Sequence, residues 1–442
     1  MTAPAATWSR VRDAVRPERS GVVRSVRGLG VEVLGLQAAV GDRVRIDVAS
    51  GGVVDAEVVA VDGTAARCMP LGALTGITAR ARVRHSGAPL RVPIGRGLLG
   101  RVLDGLGRPI DGKGPLAADV PRVPLDHAAP SILDRQRIDR QLDLGVRVLD
   151  TMTPVGFGQR LGLFAGSGVG KSSLMSMIAR GSRADVTVIA LVGERGREVR
   201  EFLEDDLGPE GLARSVVVVA TSDQPAMARL RSAFVATRIA EGFRDEGLHA
   251  VLMMDSLTRV AMAQREIGLS AGEPPATRGY PPSTFSVLAG LLERAGAGET
   301  GSITGLYTVL VDGDDHNEPI ADAARGILDG HVVLDRALAI RGHFPAVDVL
   351  GSVSRVVSKI TDADQRADAV ALRSVLAARR GADDLIDIGA YRAGANPLVD
   401  AALAHEAGIT GFLTQPMDDT TTAAESWARL AALAHEFRGA AS

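Results

Sequence analysis

The hydrophobic positions of this 442-residue chain follow one spacing near its start and another in its middle. Between residues 21 and 90, valines alternate with polar residues, and glycines interrupt the pattern at short intervals. A period of two places every second side chain on the same face of a strand. Several short strands of this kind predict a small β-barrel, with a β-sandwich as the alternative.

From residue 161 onward, the apolar residues form short uninterrupted runs separated by segments of helical periodicity. Strands of this kind are buried on both faces, as in a parallel sheet covered by helices. The six runs that predict such an α/β sheet are LGLF, VTVIALVG, SVVVVATS, AVLMMDS, GLYTVLVDG and HVVLD. Residues 91–150, rich in glycine, proline and aspartate, are expected to form turns and a connection. Beyond about residue 361, the chain is alanine-rich and predicted to be helical.

Composition narrows the class of protein. The formal net charge is −3, which gives no general attraction to nucleic acid or an anionic membrane. The single cysteine, Cys68, excludes an intrachain disulfide and fits a reducing compartment. No apolar run reaches the roughly 18 residues of a membrane span, and the opening segment lacks the apolar core of a signal peptide. We therefore expect a cytoplasmic protein.

A glycine-rich segment, FAGSGVGKSSLM at residues 164–175, follows one of the apolar runs and opens a helical segment. This order is the context of a phosphate-binding loop, G-x-x-x-x-G-K-[ST], in which backbone N–H groups and a helix N-terminus bind phosphate. Ala165 replaces the first glycine, which matters only if that residue needs a positive φ. The predicted nucleotide-binding residues are Gly166, Ser167, Gly168, Val169, Gly170, Lys171, Ser172 and Ser173.

Two of these residues have specific expected roles. Lys171 is one of only three lysines among 50 basic residues, so it is unlike the generic cations of this chain. In such loops the lysine contacts the β- and γ-phosphates, and the next hydroxyl, here Ser172, binds Mg²⁺.

Two other strands end in acidic residues that fit the same site. AVLMMDS ends near Asp255. An aspartate after a strand is usually a helix cap, but in a chain with a phosphate loop the role of Mg²⁺-side carboxylate is favoured. VTVIALVGER delivers Glu194 and Arg195 to the same sheet edge, where a carboxylate can polarise the attacking water. The alternative is a surface ion-pair cluster, because charged residues follow at helical spacing: Arg197, Glu198 and Arg200.

The motifs of this chain together resemble those of the type III protein-export ATPases, relatives of the catalytic subunit of rotary proton ATPases. The flagellar export ATPases resemble it most, and the virulence secretion ATPases are the nearest alternative. That family commonly has A-G-S-G-V-G-K-S in its loop, so Ala165 is a family trait. The resemblance covers residue 20 to the C-terminus and rests on GQRLGLFAGSGVGKSSLM, GERGREVREF, MMDSLTRVAMAQREIGL, EPPATRGYPPSTFSVLAGLLERAG, DDHNEPIADAARGILDGHVVLDR and FPAVDVLGSVSRV.

The resemblance implies four regions. A partner-binding leader would occupy residues 1–20 and a β-barrel domain residues 21–90. A RecA-like P-loop domain with a parallel sheet would occupy residues 91–361, and a helical C-terminal domain residues 362–442.

It also implies roles for individual residues. Glu194 would be the catalytic carboxylate, with Glu198 near the water and the metal. Arg195 would contact the γ-phosphate, and Arg259 would be an active-site arginine. Arg355 would be an arginine finger supplied to the neighbouring subunit, and Phe344 would stack on the adenine. The rotary enzyme has further adenine contacts in its C-terminal domain, and the aromatic residues nearest to them here are Tyr391 and Phe412.

A homohexamer is expected because this chain has both the catalytic glutamate and the finger, which rotary ATPases divide between two subunit types. The implied activity is Mg²⁺-dependent ATP hydrolysis that energises protein export. The implied partners are a stator-like regulator at the N-terminus, a stalk-like protein in the pore, the export gate, chaperones, unfolded substrates and the inner face of the bacterial cytoplasmic membrane.

Two other functions are compatible with a phosphate loop of this kind. A hexameric nucleic-acid translocase could share the core fold, but Trp8 is the only aromatic residue before Phe157, which disfavours base stacking in that region. A rotary ATP synthase subunit is disfavoured by the glutamate and finger on one chain and by the loop sequence.

Two segments outside the predicted nucleotide site are also candidates for partner contacts. TWSRVRDAVRP near the N-terminus places Trp8, Val11 and Val15 on one helical face, as in an amphipathic helix for a partner, or is a frayed leader. VDGDDHNEPIAD at residues 311–322 is expected to be a solvated acidic loop and not a metal site. In the rotary relatives, the corresponding loop faces the central shaft.

Overall fold

The alternating segment closes into a barrel. In the computed structural model, which describes residues 19–311 and 318–438, six antiparallel strands pair in the order β1-β2-β5-β4-β3-β6, and β6 returns to β1. Their bounds are Ser20–Arg27, Gly30–Leu34, Arg43–Asp47, Val53–Asp62, Ala65–Pro70 and Arg82–His85 for β1 to β6. The inward valines, such as Val31 and Val44, are fully buried. The predicted barrel is confirmed, and closure removes exposed sheet edges.

The six apolar runs all lie in one sheet. The runs belong to β12 (Arg160–Ala165), β13 (Val186–Glu194), β14 (Ser215–Thr221), β15 (His249–Asp255), β17 (Ser302–Leu310) and β18 (Gly330–Leu334). The sheet order is β19-β18-β12-β17-β15-β13-β14-β8, with β19 (Val347–Ser354) antiparallel to β18 and the other neighbours on this path parallel. This confirms the parallel α/β sheet predicted from the uninterrupted runs.

The region predicted as turns and a connection contains more strand than expected. The strand β8 (Val102–Asp104) extends the edge of the sheet beside β14, so the expectation was wrong there. A three-residue strand has no readable periodicity, and its partner lies more than a hundred residues away in the chain. The other short strands are β7 (Arg91–Pro93) with β9 (Arg122–Pro124), β10 (Gln141–Leu142) with β11 (Val155–Gly156), and β16 (Gly296–Ala297) with β17.

Helices cover both faces of the sheet. On one face, Leu230, Val260 and Leu288 pack from three helices. On the other, Met175 and Ile178 pack beside residues of the C-terminal helices, including Leu372, Phe412 and Trp427. The helices are α1 (Arg147–Met152), α2 (Lys171–Gly181), α3 (Gly196–Glu201), α4 (Gly208–Ala213), α5 (Ala226–Asp245), α6 (Leu257–Ala271), α7 (Pro282–Glu293), α8 (Pro319–Ile327), α9 (Arg336–Ile340), α10 (Val357–Ile360), α11 (Ala363–Asp387), α12 (Pro397–Ala404), α13 (Glu406–Leu413) and α14 (Ala423–Arg438), with a π-helical turn at Phe202–Leu207.

The C-terminal helical region begins at a clear signal. Asp362 caps α11 through a capping box with Gln365, in which each side chain bonds the other residue's backbone N–H. The helical C-terminal region is thereby confirmed, whereas the four domain boundaries stay predictions.

A buried arginine joins this region to the sheet. Arg147 of α1 is 4% exposed, and its guanidinium donates to the carbonyls of Gly411 (3.0 Å), Phe412 (3.2 Å) and Thr414 (3.2 Å) at the end of α13. These carbonyls have no further helical turn to bond, so the arginine takes the place of a helix cap. The end of α13 is thus held against the helix that precedes the phosphate loop.

Candidate functional site

The loop at residues 166–170 joins β12 to α2. Ala165 is the last residue of β12, fully buried and paired with Leu310 and Leu334 on the two neighbouring strands. The positive φ angles of the loop fall on Gly168 (75°) and Gly170 (87°). An extended strand position accepts alanine without strain, so the departure from the usual motif has no conformational cost.

The loop has the properties of an anion site. Across residues 19–311 and 318–438, no backbone N–H of residues 166–170 donates to another protein group. Unpaired N–H groups at the start of an 11-residue helix are a binding surface for phosphate. Ser172, in the first turn of α2, is exposed beside them.

Three charged side chains meet at the foot of the loop. Lys171 Nζ lies 2.5 Å from Asp255 Oδ1 and 3.9 Å from Glu194 Oε1. Asp255 ends β15 and Glu194 ends β13, and these neighbouring parallel strands place both carboxylates at the same edge. The structure therefore brings together the lysine and the two acids that the sequence singled out.

The environment of Glu194 alters its protonation. Its burial and the nearby Asp255 charge raise the pKa of Glu194 to about 7, although the positive charge of Lys171 opposes this. Glu198 adds to the effect through a hydrogen bond to Glu194. A carboxyl group that titrates near neutral pH, in a cleft next to a phosphate loop, is suited to proton transfer with a water molecule.

Arg259 approaches the cluster of Lys171, Asp255 and Glu194 because a glycine leaves room for its side chain. This glycine was not identified from the sequence. Gly193, directly before Glu194, has φ of 72°, and a Cβ there would lie 3.1 Å from Arg259 Cβ. The buried Nε of Arg259 has no hydrogen-bond partner in the described part of the chain. An unpaired buried N–H donor at this position fits a ligand that accepts hydrogen bonds.

Arg195 lies at the border of the cluster. Its side chain is 78% exposed, and its Nη1 lies 3.2 Å from Glu198 Oε1. The alternative interpretation of this segment, a surface cluster of ion pairs, is also supported, because Arg197 pairs with Glu201 on the same exposed helix.

Phe344 lies beside the loop although it is far away in the chain. A Cβ on Gly170 would lie 3.2 Å from its ring, and the ring is 44% exposed. The backbone N–H of Gln415 donates to the Phe344 carbonyl at 2.9 Å. Met417, two residues later, is 37% exposed, and its carbonyl accepts from Arg180 of α2. The sequence offered no local signal for this second segment.

Of the two C-terminal aromatic residues named from the sequence, Phe412 is not free for a base. Phe412 is 6% exposed in the core that packs on the sheet. The hydroxyl of Tyr391 donates to Asp400 at 3.0 Å.

Arg355 lies at the opposite end of the sheet from its own loop. Ala165 is level with Leu334, whereas Ser354 is level with Gly330 at the other end of β18. Four residues of strand separate the two levels, about 13 Å. The Arg355 guanidinium donates to the Arg325 carbonyl. The structure thus does not bring this arginine to the lysine–carboxylate cluster of its own chain.

Two sequence-based expectations fall on residues that are not described. The N-terminal amphipathic segment lies within residues 1–18, and half of the acidic loop lies within residues 312–317. Across the described ranges, no helix has both the length and the apolar character needed to cross a bilayer. The same ranges hold no group of three or more His, Cys, Asp or Glu side chains arranged for a metal ion.

Comparison with known proteins agrees with the geometry. Residues 145–354 match the ATP synthase alpha/beta family, nucleotide-binding domain, and residues 361–432 match the T3SS EscN ATPase C-terminal domain. The chain is 52% identical to the flagellum-specific ATP synthase of Bacillus subtilis over 94% of this chain and 95% of that relative. It is 50% identical to the type 3 secretion system ATPase of Xanthomonas euvesicatoria, with 90% of each covered.

A solved structure extends this similarity to the whole fold. The assembled ATPase EscN of the enteropathogenic E. coli type III secretion system superposes with a TM-score of 0.87 at 40% identity, covering 94% of this chain and all of that one. The chain is therefore an ATPase that belongs to the type III secretion ATPase family, which includes the flagellum-specific ATP synthases and the type 3 secretion system ATPases.

Proposed function

We propose that this chain hydrolyses ATP with Mg²⁺ in a homohexameric ring and thereby energises export of flagellar proteins through a type III secretion apparatus. The observation that carries the proposal is the cluster of Lys171, Asp255 and Glu194 at the foot of an unpaired phosphate loop. Nucleotide hydrolysis needs a phosphate-binding lysine, a metal-side carboxylate and a water-orienting carboxylate, and these three residues match those needs.

Each residue has a distinct part in the proposed reaction. The loop N–H groups and Lys171 bind the phosphates, and Lys171 exchanges its contact with Asp255 for one with phosphate oxygens. Glu194 accepts a hydrogen bond from water and orients it for in-line attack. Phe344 stacks on the adenine.

The donor set fits Mg²⁺. Ser172 and Asp255 would hold the ion, which often binds through one or two protein oxygens together with substrate phosphates and water. When bound, Mg²⁺ supplies positive charge that offsets the charge developing on the phosphate oxygens.

Hydrolysis in a ring is supported by the position of Arg355. With its guanidinium at the far end of the sheet from its own loop, it would contact a neighbouring subunit's nucleotide and not its own. Charge stabilisation by such an arginine finger accelerates hydrolysis ~10³-fold or more in other enzymes. The EscN relative is an assembled ATPase, and another structure shows it with its central stalk EscO at a TM-score of 0.86 to this chain.

The remaining partners are proposed from family membership. A stalk-like protein would enter the pore, and a stator-like regulator would bind the N-terminal leader. The ring would act at the inner face of the bacterial cytoplasmic membrane on unfolded substrates delivered by chaperones to the export gate. Both flagellar and virulence-type relatives are about equally similar, so the flagellar assignment needs a test in cells.

Replacing the chain by its Lys171→Ala variant in the source bacterium should abolish export of flagellar filament protein. The lysine is the phosphate contact, so the ring would assemble without turning over ATP. Quantifying filament protein in the culture medium measures the effect. A matched control is Lys113→Ala, which removes a lysine whose ammonium donates to the Gly100 carbonyl, at the β8 edge of the sheet away from the loop. Unchanged flagellar export with lost export of virulence-type substrates would assign the chain to the other system.

The value of kcat/KM should fall about tenfold per pH unit as the pH drops below about 7. Only the ionised form of Glu194 can take a proton from the attacking water, and the pKa of this carboxyl is about 7, so the active fraction rises with pH. Steady-state hydrolysis at saturating Mg²⁺ between about pH 5.5 and 8.5 measures the profile. A profile that is flat across neutrality would show that Glu194 is not the titrating group.

A further inference from the structure

One threonine of the central strand β17 contacts the metal-side carboxylate. β17 lies between β12, which leads into the phosphate loop, and β15, which ends in Asp255. Thr308 is fully buried, and its Oγ1 donates to Asp255 Oδ1 at 2.7 Å. Among the described residues, the hydroxyl has one other acceptor, the Met254 carbonyl, which is farther away at 3.3 Å.

A hydroxyl group is unusual at this buried position of an apolar strand. β17 is buried over eight of its nine residues, and its sequence SITGLYTVL is largely apolar in the half that contains Thr308. Valine has the same shape as threonine and favours such strands, whereas a buried hydroxyl costs free energy unless it is hydrogen-bonded. Thr308 meets this cost through a bond to a charged acceptor, which is stronger than a neutral one.

The two donors to Asp255 Oδ1 differ in mobility. Lys171 holds its ammonium on a flexible four-carbon stem, and in the proposed reaction it turns to the phosphates. Thr308 is β-branched on a central strand, so its χ1 is restricted and its hydroxyl stays in place. When Lys171 leaves, Thr308 is the remaining donor that fixes the carboxylate.

The other carboxylate oxygen is the one available to a metal. In the described part of the chain, no hydrogen bond is made to Asp255 Oδ2. Because the Thr308 hydroxyl on β17 holds Oδ1, the plane of the Asp255 carboxylate is fixed. The lone pairs of Oδ2 therefore keep one orientation. Outer groups that orient metal ligands in this way commonly change metal affinity by 10- to 100-fold when removed.

We propose that Thr308 is a positioning residue, which holds Asp255 through Oδ1 so that the carboxylate is preset for Mg²⁺ in both the free and the nucleotide-bound enzyme. This inference rests on the proposed Mg²⁺-dependent hydrolysis. Thr308 itself does not touch substrate or metal. Its removal should therefore alter the contribution of Mg²⁺ to nucleotide binding and not nucleotide binding as such.

The test compares three variants of the full-length chain. Thr308→Val removes the hydroxyl without changing the shape, and Thr308→Ser restores it. Thr304→Val is the matched control: Thr304 lies four residues earlier on the same strand and face, is 1% exposed, and accepts a hydrogen bond from the Gly158 N–H at 2.9 Å. The Thr304→Val variant also loses a buried threonine hydroxyl, but toward the other end of the strand.

Two measurements are made on each variant: the affinity for a fluorescent ATP analogue with and without Mg²⁺, and the Mg²⁺ concentration that gives half-maximal hydrolysis. For Thr308→Val, we expect affinity without Mg²⁺ within about twofold of wild type, and a Mg²⁺-dependent gain in affinity reduced about tenfold. Thr308→Ser should recover most of that gain, and Thr304→Val should keep all of it. The half-maximal Mg²⁺ concentration should shift in parallel.

The inference would be overturned by a Thr308→Val protein with the wild-type Mg²⁺-dependent gain, by an equal loss in Thr304→Val, or by a folded Thr308→Ser protein without recovery. If Thr308→Val does not fold, Thr308→Cys replaces it, because a thiol is only a weak donor. A wild-type chain whose nucleotide affinity is independent of Mg²⁺ would instead refute the proposed function.

Discussion

Hydrolysis should return when two inactive variants, Lys171→Ala and Arg355→Ala, are assembled into mixed rings. The first lacks the lysine proposed to bind phosphate but keeps the proposed finger, and the second keeps the loop, Glu194 and Asp255. Since Arg355 lies about 13 Å along the sheet from the level of its own loop, each site would need two chains. Interfaces that join an intact loop to an intact finger would then be complete.

The expected recovery has a definite size. With equal amounts of the two chains assembling at random, about one interface in four is complete, so activity should reach roughly a quarter of wild type. Steady-state phosphate release from the mixture, compared with each variant alone, measures it. Sequential coupling between sites would reduce the value, because inactive neighbours would interrupt the cycle.

A second mixture gives the control. Lys171→Ala and Glu194→Gln alter the same side of the site, as the 3.9 Å between Lys171 Nζ and Glu194 Oε1 shows. No interface in that mixture is complete, so no activity should return. Recovery there, or failure of the first mixture despite demonstrated co-assembly, would refute the shared site.

Glu194→Gln alone should lower kcat by roughly 10²- to 10⁴-fold, the usual range for loss of a general base. Glutamine has the same shape but cannot take a proton or bear the negative charge that orients water. ATP binding should be kept or strengthened, because a negative charge near the phosphates and Asp255 is removed. Any residual hydrolysis should also lose its dependence on pH near 7.

Phosphate release and equilibrium binding of a fluorescent ATP analogue test this pair of effects. Glu201→Gln is the matched control: the same change is made on the adjoining helix, at a side chain that is 51% exposed and paired with Arg197. It should leave both quantities near wild type. A Glu194→Gln chain that retains more than about a tenth of the activity would remove Glu194 from the proposed role.

Much of the fold could be predicted from the sequence because its signals are local. Six uninterrupted apolar runs became six strands of one sheet, since strands with no polar face must be covered on both sides. The barrel followed from alternation and the loop from its glycines. β8 could not be predicted, because three residues have no period and their pairing with β14 is set by distant residues.

For the candidate site, the sequence by itself determined which residues bear charge after the phosphate loop and at two strand ends: Lys171, Glu194 and Asp255. Only the tertiary structure decided their surroundings. It placed Phe344 against Gly170, placed the buried hydroxyl of Thr308 against Asp255, and put Arg355 at the far end of the sheet. Motifs are read along the chain, whereas strand order and register decide which distant residues meet, and these depend on packing over the whole sheet.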